Sequence, residues 1–302
     1  MDFIITLFNG LSLGGVYAMI ALGYTMVYGI AKLLNFAHGD VIMVGGYTLF
    51  VFVSASMPQF MPEPLWAVLM PILAIITSVI VCVLLGVTME RVAYRPLRGA
   101  SPLAVLITAI GVSYLLQSLA LIIFGANTRV VEVFRLGVVR FGDLQIKVST
   151  IITLIATVVI MTALSLFVKY SKTGRAMVAV SEDRDAARLM GININRIITV
   201  TFAIGSALAA LAGLFSLLDV PYMNSTFGAL PGIKAFTAAV IGGIGSIPGA
   251  MLGGILLGVV ECICNSIPAV APYTIAIEFA ILIVILLVKP TGFLGKKRRE
   301  KV

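Results

Sequence analysis

Apolar runs with almost no charge alternate with short polar breaks along nearly the whole chain. A bilayer core about 30 Å thick needs about 20 apolar residues of helix. The runs 3–30, 65–89, 102–124, 148–168 and 197–218 meet or approach that length. Shorter apolar runs occupy 41–56, 233–244, 247–266 and 273–288. The breaks have distinct characters. MPQFMPEP at 57–64 holds three prolines, which end a helical segment. Residues 90–101 form a short basic loop carrying Arg91, Arg95 and Arg98. Residues 125–147 are mixed, with Val and Phe suited to a small hairpin. The expected fold is an all-α polytopic membrane protein of about 8–9 segments.

The segments repeat a pattern. The first four read long, short and Gly-rich, long, long, and the last four read similarly with a shorter final pair. The run 148–168 lies between the two sets, so alternating spans put the halves in opposite directions. The chain is therefore expected to be one polytopic membrane unit over 1–302. Its parts are a first half (1–124), a connector (125–172), a charged insert (173–196), a second half (197–289) and a basic tail (290–302). By analogy with secondary transporters, short interrupted segments at matching positions build the substrate path. This points to Asn35, His38, Gly45 and Gly46 in the first half and to Gly242, Gly243 and Gly245 in the second.

Composition fits this picture. Residues are 60% hydrophobic and 11% charged, against about 25% charged in soluble domains. The net charge of +8 reflects loop and tail cations rather than a nucleic-acid surface. With 90–101 on the cytoplasmic side, 16 Lys and Arg fall in cytoplasmic segments and 4 (Arg129, Arg135, Arg140 and Lys147) outside. That bias predicts an outer N-terminus and a cytoplasmic C-terminus. Cys82, Cys262 and Cys264 all lie in apolar runs and read as small core residues. The N-terminus lacks a basic region and a small-residue cleavage site, so it reads as a retained first span.

The longest polar insert is KTGRAMVAVSEDRDAARLMGININR, 172–196. Ser181 is the expected helix cap. Glu182 and Asp183 then occupy the first turn and Arg188 the last, as the helix dipole favours. Gly191 takes the position that ends such a helix with positive φ. Ala186, Ala187, Leu189 and Met190 give it an apolar side. The residues alone leave an ordinary solvated loop open.

No nucleophile, base and orienter set appears, and no GxxxxGK[ST] sequence cradles a nucleotide. GGIGSIPG at 242–249 lacks that Lys and suits close helix packing better than a phosphate. One histidine, His38, rules out a histidine-rich metal site; it reads as a loop-end residue or a proton carrier. No catalytic or metal-binding residue is expected, and no cofactor. Asp40, Glu90, Asp219 and Lys234 sit near predicted span ends, where water reaches them. Glu261 and Glu278 are more interior. They suit a transport role, a buried hydrogen bond or an outer-surface position.

Four stretches carry a resemblance: NGLSLGGVYAMIALG (9–23), NFAHGD (35–40) with GGY (45–47), GRAMVAVSEDRDAARLMGIN (174–193) and GGIGSIPGAMLGG (242–254). Together they resemble the permeases of bacterial branched-chain amino-acid ABC importers, along nearly the whole chain. The insert is similar to the element by which importers dock on their ATPases. Ala186, Ala187 and Gly191 match it, with Asp185 at the usual Glu position. The resemblance implies a coupling role for Glu182, Asp185, Ala186, Ala187, Arg188, Leu189 and Gly191. It also implies a second homologous permease, two cytoplasmic ATPase subunits that use the ATP, an extracytoplasmic amino-acid-binding protein and the inner membrane. The chain itself would catalyse nothing. Alternatives are a permease for an amide, urea or sugar, a self-sufficient secondary transporter, and a membrane scaffold.

Overall fold

Two long helices form the centre, α1 (Asp2–Ala31) and α8 (Ile194–Asp219). They pack on each other and on most of the remaining helices. The computed structural model describes residues 2–33, 35–54, 63–134, 136–141 and 144–295. The other helices of the first half are α2 (His38–Val53), α3 (Glu63–Met89) and α4 (Pro102–Phe124). Next come α5 (Val148–Tyr170), α6 (Lys172–Glu182) and α7 (Arg184–Leu189). After α8 follow α9 (Ala229–Gly242), α10 (Ile247–Ser266) and α11 (Thr274–Val288). Seven described helices are long and apolar enough to cross a membrane, and α2 and α9 are shorter apolar ones. The chain is a multi-pass, mainly helical membrane protein.

Small residues set the closest contact, between α1 and α10. A Cβ on Gly14 would lie 2.7 Å from the Ile255 Cα, and one on Gly10 would lie 2.9 Å from the Val259 Cα. In lipid, where no hydrophobic drive joins helices, such close backbone approach supplies the attraction. The periphery is different. α4 and α11 keep apolar side chains outward, with Ile122 and Leu287 each 79% exposed. An apolar face of this kind suits lipid or a neighbouring membrane subunit.

Between the long helices lie short strands. β1 (Arg129–Val130) pairs antiparallel with β4 (Tyr222–Met223), joining a loop of each half. β2 (Val138–Phe141) and β3 (Leu144–Lys147) form the expected hairpin. Two expectations change at 90–101. Residues Glu90–Tyr94 continue α3 as a π-helical turn, and only the following residues leave the helix. Glu90 is fully buried rather than wet, because Arg98 and Thr199 both donate to its carboxylate. The proline-rich 57–62 and the tail 296–302 lie outside the described residues.

Candidate functional site

The polar insert folds as two helices. α6 begins at Ser171, whose hydroxyl accepts from the Gly174 amide at 2.8 Å. Its apolar side buries Met177 and Val180. Ser181 is not the cap of the next helix; it sits inside α6, and its Oγ donates to the Val178 carbonyl. Glu182 accordingly ends α6 instead of opening a helix. Asp183 is the cap: its carboxylate accepts from the Asp185 and Ala186 amides, both at 3.0 Å. A carboxylate there also meets the positive end of the helix dipole. Both Ser and Asp cap well, and the sequence offers them two residues apart. The break in the backbone at Asp183 decides between them.

α7 is terminated as expected. Gly191 has φ of +79°, with its amide bonded to the Arg188 carbonyl and that of Ile192 to Ala187. The two alanines split their roles. Ala187 is buried against the body of the protein and is not available to enter a partner's groove. Ala186, Asp185 and Arg188 face outward. Leu189 and Met190 are 89% and 82% exposed, the most uncovered apolar pair on the insert. Arg184 ties α7 to α1 by donating from Nη2 to the Ile30 carbonyl at 2.9 Å. The unit is thus a rigid step with an apolar tip.

Of the residues expected on the path in the first half, Asn35 and His38 lie at the start of α2. Asn35 accepts from the Tyr94 hydroxyl at 2.6 Å. His38 is buried, set edge-on to Tyr24 with ring centroids 4.8 Å apart, and its Nε2 has no partner. Tyr24 also meets Phe236 of α9 at 5.8 Å. Glycines let α2 and α9 touch by backbone: a Cβ on Gly232 would lie 3.0 Å from the Gly39 Cα. Gly45 and Gly46 lie deeper. Ser78 donates to the Gly45 carbonyl at 3.0 Å, and Gly46 faces Met223. In the second half, Gly242 abuts α10 at Gly249, and Gly243 and Gly245 have φ of +104° and +96° in the turn between the helices. The structure does not gather the two groups at one point. Asn35 lines a small recess with Phe236, Ala239 and Ile244, and Phe36 and Phe236 lie 5.5 Å apart. Gly45, by contrast, faces α3 and α8, and Gly242 faces α10.

The sequence reading missed a buried ion cluster. Lys234 is not water-exposed at a span end; it is 4% exposed and bridges two carboxylates. Its Nζ lies 2.6 Å from Glu261 and 3.2 Å from Glu278. Tyr17 donates to the second Glu261 oxygen at 2.7 Å. The cluster joins α1, α9, α10 and α11. Of the readings open for Glu261 and Glu278, the buried hydrogen bond is the observed one. Asp40 is likewise buried and accepts from Gln117 at 2.8 Å. Asp219 does remain exposed, 2.9 Å from Lys147.

Similarity to known proteins extends along nearly the whole chain. A family model described as the permease component of branched-chain amino acid transport systems matches residues 6–286. The chain is 44% identical to the high-affinity branched-chain amino acid transport system permease protein BraD of Pseudomonas aeruginosa, over 98% of this chain and 97% of that one. It is 41% identical to the Escherichia coli permease protein LivH of the same description, over 99% and 98%. A probable LivH of Methanocaldococcus jannaschii is 26% identical over 92% and 88%. No solved structure matches. The extent of these matches makes this chain a member of the family of branched-chain amino acid transport permeases.

Proposed function

We propose that the chain is a permease subunit of an ATP-driven importer of branched-chain amino acids. It works with a second homologous permease, two cytoplasmic ATPase subunits and an extracytoplasmic binding protein, in the bacterial inner membrane. One observation carries the coupling part of this reading. The insert presents Leu189 and Met190 on a step held by Asp183, Arg184 and Ala187. An exposed apolar pair on a rigid mount suits a groove on a soluble partner, and Asp185 and Arg188 beside it would set register. The chain has no phosphate-binding sequence of its own, so ATP-driven motion must arrive through such a contact.

The halves 1–124 and 197–289 are read as an inverted pair. In support, α2 packs on α3 and α8, while α9 packs on α10 and α1. α4 touches α2 as α11 touches α9. The path is assigned to α2, α9 and the turns at their ends, which carry Asn35, His38, Gly45, Gly46, Gly242, Gly243 and Gly245. His38 Nε2, unpartnered at the start of α2 and facing Gly23 of α1, favours the assignment. The N-terminus faces out and the C-terminus lies in the cytoplasm, as the Lys and Arg bias favours.

Reconstitution tests the reading. Proteoliposomes holding both permeases and the ATPases should take up leucine only with the binding protein and ATP. Uptake by this chain alone on an ion gradient would make it a secondary transporter.

A further inference from the structure

A cavity of about 340 Å³ opens beside the insert, between the end of α1, the 98–102 turn, the start of α4 and Arg184 of α7. Its lining includes three cations, Lys32, Arg98 and Arg184, and no carboxylate. Arg98 donates to Glu90 and Asn195 from its terminal nitrogens, yet its Nε is buried without a partner. Arg184 donates to the Ile30 carbonyl, and its Nε is also buried without a partner. Among the described residues no carboxylate lies within ion-pair distance of Arg184. Burial lowers the pKa of both guanidinium groups below the ordinary value, against the pull of Glu90 at Arg98. Arg98 has Glu90 as its counter-charge, so Arg184 is the guanidinium at this cavity whose charge no carboxylate meets among the described residues.

The part of the lining from α4 is apolar. Pro102, Val105 and Leu106 form it. Outside it the start of α4 exposes Leu103 at 63% and Ile107 at 60%. An anion carrying hydrocarbon matches both parts, because its chains would run along α4. Basic recesses on the cytoplasmic side of membrane proteins attract anionic lipid head groups. We propose that this cavity holds the phosphate of an anionic phospholipid of the cytoplasmic leaflet, with Arg98 and Arg184 as its donors. The leaflet rests on the orientation proposed above. The lipid would brace the step that carries Leu189 and Met190.

The test uses the full chain purified in mild detergent and native mass spectrometry. The probes are phosphatidylglycerol and phosphatidylcholine with matched acyl chains. Wild type should retain phosphatidylglycerol about tenfold better, the factor one charge-assisted hydrogen bond carries. Arg184→Gln should remove that preference and Arg184→Lys keep part of it. Leu106→Trp, which fills the cavity without touching charge, should weaken retention in a fold that keeps Arg184. Equal retention of the two lipids by wild type would overturn the proposal. So would an unchanged preference in both Arg184→Gln and Leu106→Trp. Displacement of phosphatidylglycerol by millimolar inorganic phosphate would make the site one for a free anion. If the ATPase subunits displace the lipid, and Arg184→Gln releases them, an acidic side chain of the ATPase is the occupant instead. Leucine uptake and a cytoplasm-specific reporter fused after Val302 are read separately. Their failure, with lipid retention intact, would sink the transport or orientation reading and leave the anion site standing.

Discussion

The insert and the Lys234 cluster use the same kinds of residue to opposite ends. On the insert, Glu182, Asp185 and Arg188 stay in solvent, and the bonds that shape the step are mostly local, from Asp183 to amides two and three residues on. In the cluster, Lys234, Glu261, Glu278 and Tyr17 come from four helices and meet within the protein interior. Solvated charges are cheap to keep and contribute little, whereas a buried pair that loses one partner leaves an uncompensated charge. Charge in this protein therefore stays solvated on the insert, where the proposed docking would use it, and ties helices together in the interior.

The largest expected effect comes from breaking the tie. Lys234→Met leaves the buried Glu278 and the partly buried Glu261 without their cation, and should lower stability by about 3 to 5 kcal/mol. Thermal unfolding in detergent reads this as a large drop in midpoint. Replacing the three charged members together, as Lys234→Met with Glu261→Gln and Glu278→Gln, should recover much of the loss. A single variant as stable as wild type would show that the cluster ties nothing.

A smaller effect is expected on the insert. Asp183→Ala removes the cap of α7 and should cost about 1 kcal/mol of local helix stability. Hydrogen exchange should quicken at the Asp185 and Ala186 amides while the midpoint of the whole protein holds. An unchanged exchange rate would mean that packing of Ala187 alone fixes the helix. The smallest effect belongs to Lys147→Ala. Its partner Asp219 is more than half exposed, so the change should stay within about 1 kcal/mol. A larger loss would erase the contrast between exposed and buried pairs.

The same contrast explains what the sequence could tell. Span positions were legible, because a helix in lipid must be apolar over a fixed length; α4 and α10 start and stop where hydropathy placed them. The end of α7 was legible through Gly191, since few residues adopt its backbone angle. The cap was not, because Ser181 and Asp183 satisfy the same local rule and only the turn between α6 and α7 selects one. Glu90 and Lys234 were misread as wet for a related reason. Hydropathy places a residue along a span but not around it. Arg98 reaches back eight positions to Glu90, and Thr199 comes from a helix more than a hundred residues on. The cluster was out of reach altogether, as its members lie 27 and 44 positions apart and 244 separate Tyr17 from Glu261.

The central claim is that the tip of the insert is the ATPase contact. Cross-linking tests it most directly. Leu189→Cys and Met190→Cys should each join the ATPase subunit through a short thiol-reactive linker in membranes holding the assembled transporter. Wild type, whose Cys82 is buried and whose Cys262 and Cys264 lie within α10, supplies the background. The account predicts a cross-linked species with both variants and none from wild type. Assembled, ATP-hydrolysing transporter that gives no cross-link from either position would contradict it.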